Sequence, residues 1–218
     1  MRPDSTANSP HSDASPRTPN PQAEYKRNPT PGEIELARLV FSDAIDYSRV
    51  KIHRGGLFGI PTRTGNAMTP RGEIYFPDTP DGYQTDFSQA PESKQIWLMH
   101  ELTHVWQYQL GYSVLFGALK IRLRGGYAND GARPAPAYRY NLQGEDIDKP
   151  LPQFNMEQQG ELISHYFDAN FLTGIHREQQ HAARVANLPA LRHALSEFLT
   201  QPGNHELLPQ TTAIEPHP

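Results

Sequence analysis

The sequence predicts an α+β domain, mainly α, and three observations carry that expectation. Several stretches repeat apolar residues at helical spacing, two short β-like runs are bounded by Gly and Pro, and 218 residues suit one folded domain. Hydrophobic residues make up only 36% of the chain, and the shortfall sits mostly at the two ends.

Residues 1–31 are rich in Pro, Ser, Asn and Thr with almost nothing to bury, so a disordered leader is expected there. From Glu33 to Asp46, Ile34, Leu36, Ala37, Val40, Phe41 and Ile45 recur at near-helical spacing and predict a first amphipathic helix. Arg49–His53 and Gly72–Phe76 read as strands of a small sheet, and Thr79–Gln89 as a loop. Ser93 can cap a helix running through IWLMHELTHVWQYQL to about Leu110, with Gly111 as its stop. Leu115–Leu123 forms a further short helix. The stretch 125–153 is irregular apart from a strand candidate at Tyr138–Leu142. Asn155 caps a second strong helix to about Phe171, and Leu188–Leu199 makes the last one, with Pro189 at a tolerated position. The folded domain is therefore expected over 32–201, with 202–218 as a flexible tail.

Composition narrows the function classes. A net charge of −4 provides no basic face for nucleic acid. Zero cysteines exclude disulfides and thiolate metal sites, so any metal must take nitrogen and oxygen ligands. The N-terminal stretch lacks the apolar segment of a signal peptide, and no apolar run approaches the roughly 20 residues of a membrane span. A soluble product is expected, exported by other means if it acts outside the cell.

The chemistry concentrates at His100-Glu101-Leu102-Thr103-His104, an H-E-x-x-H pattern inside a helical stretch. Side chains at i and i+4 share a helix face, so the two imidazoles can grip one zinc ion. Zinc lowers the pKa of a bound water towards about 7, and Glu101 stands where a carboxylate could take its proton. Ile96, Trp97, Leu98, Met99, Leu102, Val105 and Trp106 surround the motif and imply a buried helix, where unpaired polar groups are costly. The bland alternative is a pair of satisfied core histidines. A catalytic zinc needs a third protein ligand, and Glu157 of Met156-Glu157-Gln158-Gln159-Gly160-Glu161 is the favoured source. Glu161 shares its face at i+4 and suits an acceptor for a ligand imidazole, while Gly160 allows a neighbouring helix to approach. His165 is the reserve ligand, and either His165 or Tyr166 could stabilise a transition-state oxyanion. The remaining histidines are assigned no role.

MHELTHVWQYQLG followed by FNMEQQGELISHYF resembles the zinc metallopeptidase domains associated with the VgrG spike of bacterial type VI secretion. The resemblance extends upstream through ELARLVFSDAIDYSRVKIHRGG and AMTPRGEIYF, covering about 33–172. EQQGE is also similar to the E-x-Q-A-D segment by which CAAX-type zinc peptidases supply a glutamate ligand, with Gly160 and Glu161 standing in place of Ala and Asp. The resemblance implies a gluzincin-like, zincin-type peptidase holding one Zn²⁺ and acting on protein or peptide as an antibacterial toxin in the recipient's periplasm. It also implies a VgrG spike or adaptor as carrier and a cognate immunity protein. Two other readings keep the zinc: an amidase acting on the cell wall, and a catalytically idle zinc-binding module of the spike. Glu101 argues against the idle module, because a structural zinc site needs no base and is usually closed by four ligands.

Overall fold

The computed structural model describes residues 26–56, 65–129 and 134–214. The expected leader lies outside the described residues up to position 25, but residues 26–31 belong to the fold. Strand β1 (Lys26–Arg27) pairs antiparallel with β2 (Lys51–Arg54), and β2 runs parallel to β3 (Glu73–Phe76). The parallel register sets Ile52 beside Ile74 on the buried face, while His53 stacks on Tyr75 at 4.1 Å on the other. Helices dominate the rest: α1 (Pro31–Phe41), α2 (Glu92–Gln109), α3 (Val114–Leu123), α4 (Met156–Phe171), α5 (Glu178–Ala186), α6 (Leu188–Ala194) and α7 (Ser196–Thr200). The α+β, mainly α class is therefore what the chain adopts.

Helix α1 starts on a capping box between Thr30 and Glu33, with Pro31 pre-shaped for the first turn. Glu33 is buried and also accepts from both terminal guanidinium nitrogens of Arg27 at 2.7 Å and from Phe87 N at 2.8 Å. One carboxylate thus ties the sheet, the helix and the 86–89 turn together. The helix stops at Phe41, short of the expected Asp46, because Ser42 turns the chain at φ +50°.

Helix α2 runs through the centre, packed against α1, α3, α4 and β3. Every residue from Leu98 to Gln107 is buried. Ser93 is not its cap: the N-cap is Pro91, and Glu92 in the first turn accepts instead from Thr173 N, Gly174 N and Arg177. Gly111, at φ +103°, ends the helix run as expected. Asn155 caps α4 through a box with Gln158, also as expected.

Further expectations are corrected. Tyr138–Leu142 is no strand; Pro136–Tyr138 forms a single 3₁₀ turn, seeded by the fixed φ of Pro136, and Tyr140 hydrogen-bonds to α4. The predicted 188–199 helix breaks at Leu195 into α6 and α7. Helix α5 was not foreseen, since none of its residues is buried; it is held by Arg177, His181 and Arg184, which converge on the fully buried Asp168 of α4. Residues 202–214 are not a loose tail: Trp106 Nε1 donates to Pro202 O at 2.6 Å, Leu207 is fully buried and Asn155 Nδ2 donates to Ala213 O at 2.8 Å.

Candidate metal centre

The site lies where α2 crosses α4. His100 and His104, one turn apart on α2, present their rings at 83° with centroids 5.0 Å apart. Glu157 enters from the first turn of α4, where the cap by Asn155 and the helix dipole both favour a carboxylate. Both imidazole Nε2 atoms point at one oxygen: His100 Nε2 lies 3.1 Å and His104 Nε2 3.2 Å from Glu157 Oε2. All three residues are buried, and their ligand atoms fall within 4.8 Å of one another. Two nitrogens and one carboxylate oxygen form a donor set suited to a zinc ion with an open coordination position.

The outer atoms of this trio are also spoken for. His104 Nδ1 is 2.9 Å from Gln107 Oε1, and His100 Nδ1 is 3.1 Å from Glu161 Oε1, though off the line of a regular hydrogen bond. With acceptors at both Nδ1 atoms, the Nε2 atoms are left to face the centre. Tyr127 donates to Glu157 Oε1 at 2.6 Å, which leaves Oε2 turned to the histidines. Glu101 is buried beside them and accepts from Thr69 Oγ1 at 2.7 Å through Oε2, its one hydrogen bond among the described residues.

Electrostatics follow from this burial. Burial pushes the Glu157 carboxyl up, but the charges and hydrogen bonds of His104 and His100 outweigh it and hold it well below the usual carboxylate range. Glu161 is likewise pulled far down, against burial, by His100 and His165. For His100 burial works against the proton, yet Glu157 and Glu161 win and raise its pKa well above the ordinary value; His104 is raised through Glu157. Without metal, protons therefore stand in for a cation between these rings and carboxylates. A metal would displace them.

The expected residues His100, Glu101, His104, Glu157 and Glu161 all meet here. His165 sits one turn beyond Glu161, with Nε2 at 3.2 Å from Glu161 Oε2 and Nδ1 at 2.5 Å from the Tyr140 hydroxyl. It stands behind Glu161 and outside the converging trio. Tyr166 is buried edge-on against Phe171 and, among the described residues, hydrogen-bonds to none of the site's side chains. Gly160 has the role its position suggested: a Cβ there would come 2.6 Å from His100 Cε1.

Four contributors were missed by the sequence reading: Gln107, Thr69, Tyr127 and Tyr138. Gln107 was findable, since it lies three residues after His104 on the same helix. The others come from irregular segments that no period marks. The Tyr138 ring is centred 5.9 Å from that of His100, and burial, followed by Glu157, Glu101 and Glu161, raises its pKa so that it keeps its proton.

No family profile matches the chain. It is 36% identical over 148 residues to the type VI secretion system spike protein VgrG2b of Pseudomonas aeruginosa, a match covering 67% of this chain but only 13% of that protein's length. Among solved structures, the effector domain of Pseudomonas aeruginosa VgrG2b matches with a TM-score of 0.55 and 34% identity, covering 77% of this chain and 86% of that one.

Proposed function

The chain belongs to the family of the VgrG2b effector domain, and from that premise we propose that it is a type VI secretion effector working as a zinc-dependent peptidase of zincin type. The observation that carries the catalytic part is the convergence of His100 Nε2 and His104 Nε2 on one Glu157 oxygen, one residue away from the buried carboxylate of Glu101. In this reading His100, His104 and Glu157 would hold the ion. Bound zinc supplies Lewis acidity that polarises a carbonyl and acidifies a neighbouring water.

The remaining work belongs to the chain's own residues. Thr69 holds Glu101 by Oε2, so Oε1, which has no hydrogen-bond partner among the described residues, would take the proton from the attacking water and pass it to the leaving amine. Gln107 and Glu161 hold the ligand rings, and Tyr127 keeps Glu157 from swinging. His165 already gives both ring nitrogens to Tyr140 and Glu161, which leaves neither for an oxyanion. The protonated hydroxyl of Tyr138 is the better donor to charge developing on the carbonyl oxygen. Carriage on a VgrG spike, action in the recipient's periplasm and neutralisation by an immunity protein are parts of the same proposal.

Metal analysis together with hydrolysis of an unfolded protein substrate tests it. Glu101→Gln should keep one zinc per chain and lose at least about 100-fold in rate, whereas His100→Ala should lose the zinc. Wild-type turnover by Glu101→Gln would sink the peptidase reading. Release of cell-wall peptides without protein cleavage would replace it with the amidase.

A further inference from the structure

Helix α3 is anchored by Val114, Gly117 and Ile121, which are buried against Ala137 and Met156. Its opposite side is apolar too. Leu115 and Leu119 are each 48% exposed, Phe116 62% and Leu123 79%. Single exposed apolar residues are ordinary on a protein surface, but four on three turns of one helix are not. At about 100° per residue they occupy one arc of about 100°, with Arg122 just outside one edge and Lys120 just outside the other.

The charge pattern says what such an arc would meet. No Asp or Glu occurs between Glu101 and Asp130, while Lys120, Arg122 and Arg124 are all basic, in a chain whose net charge is −4. All three are exposed, and among the described residues none forms an ion pair. An apolar stripe edged by long cationic side chains matches the boundary of an anionic bilayer: Leu and Phe enter the acyl region, while Lys and Arg reach back to the headgroups. We propose that α3 is an interfacial helix that seats this domain on membranes rich in anionic lipid, through Leu115, Phe116, Leu119 and Leu123 with Lys120 and Arg122 at the rim. Among the described residues no helix is long and apolar enough to cross a membrane, so the attachment is peripheral.

The seat is close to the metal centre along the chain. Four residues after Leu123 comes Tyr127, whose hydroxyl holds Glu157. Docking through α3 therefore brings the site near the lipid surface and favours polypeptide segments presented there. The attachment itself is independent of the peptidase reading and can be read without any activity.

The test is flotation of the full chain with vesicles of phosphatidylethanolamine and phosphatidylglycerol, set against phosphatidylcholine alone. The wild type should float with the anionic vesicles, less so as salt rises, and stay behind with phosphatidylcholine. Phe116→Ser/Leu119→Ser/Leu123→Ser should lower partitioning at least about 10-fold, and Lys120→Gln/Arg122→Gln should lower it about fivefold per cation removed. Both variants change exposed side chains, so unchanged thermal melting certifies the fold. A wild type that remains soluble with anionic vesicles overturns the proposal, as does a triple variant that floats equally well. A wild-type dimer that the triple variant dissolves, with no lipid binding, would assign the face to a second copy of the chain instead.

Discussion

Glu157 illustrates how much one residue here depends on its neighbours. Its two oxygens have different tasks, Oε2 facing both histidines and Oε1 held by Tyr127. If the site holds zinc as proposed, Tyr127→Phe frees the second oxygen and should weaken that binding about 10-fold, in the range for outer partners of metal ligands, with little change in melting of the metal-loaded protein; competition with a chelating dye reads this. Gly160→Ala sets two effects against each other. Alanine gains up to about 1 kcal/mol of helix propensity, but its Cβ would lie 2.6 Å from the His100 ring, and crowding in a packed interior costs about 1–3 kcal/mol. Loss should win, seen as a lower Tm and weaker zinc binding. The histidines also set a pH dependence. Because His100 and His104 have folded pKa values raised above the unfolded 6.5, their pairing stabilises the metal-free chain below about pH 6.5 and is lost as pH rises through the raised values. Chelated protein should therefore lose stability on the alkaline side, while zinc-loaded protein does not; urea melts across pH check it.

Among the elements, α5 is the one whose place rests on charge. It buries no residue, and Arg177, His181 and Arg184 clasp Asp168, which α4 carries at full burial. Burial alone would push the Asp168 carboxyl up, but these partners, Arg177 foremost, hold it far below its ordinary range. A depressed carboxylate stabilises the fold above its unfolded pKa of about 3.9 and gives that stability up as pH falls below it. Asp168→Asn should cost about 3 kcal/mol, the low end for a broken buried pair since Arg184 remains partly exposed, and should open α5 to proteolysis at neutral pH. The long α2 and α4 were legible because apolar spacing and an Asn cap mark them directly. Helix α5 was not, because nothing in its own residues announces the aspartate it docks on.

For the whole molecule the revised boundary matters most. A domain ending at 201 looks sufficient from composition, yet Leu207 is fully buried, Gln159 Nε2 donates to Leu207 O at 3.0 Å and Trp106 Nε1 to Pro202 O at 2.6 Å. Gln159 keeps Leu151 O as an acceptor, so truncation after Gln201 should cost about 3–5 kcal/mol, the burial of one leucine plus the stranded indole donor of Trp106, and differential scanning calorimetry would show it. At the other end, Arg27 belongs to the fold through Glu33, although it lies within the stretch 1–31 that composition marks as leader. Sparse segments of this kind contribute single anchoring residues, which averages over composition cannot detect.

His100, Glu101 and His104 are legible from the sequence because a pair of histidines sharing one face needs only the helix period, and four residues always return to the same face. Glu157 and Glu161 follow by the same rule on a second helix, as does the need for Gly160 between them. The tertiary structure alone decided that these two helix faces meet, with both Nε2 atoms on one Glu157 oxygen. It also decided that Thr69, Tyr127 and Tyr138 close around them. Those contacts join residues 30 or more positions apart through irregular segments, and no periodicity in a chain encodes which distant loop will be folded over a site.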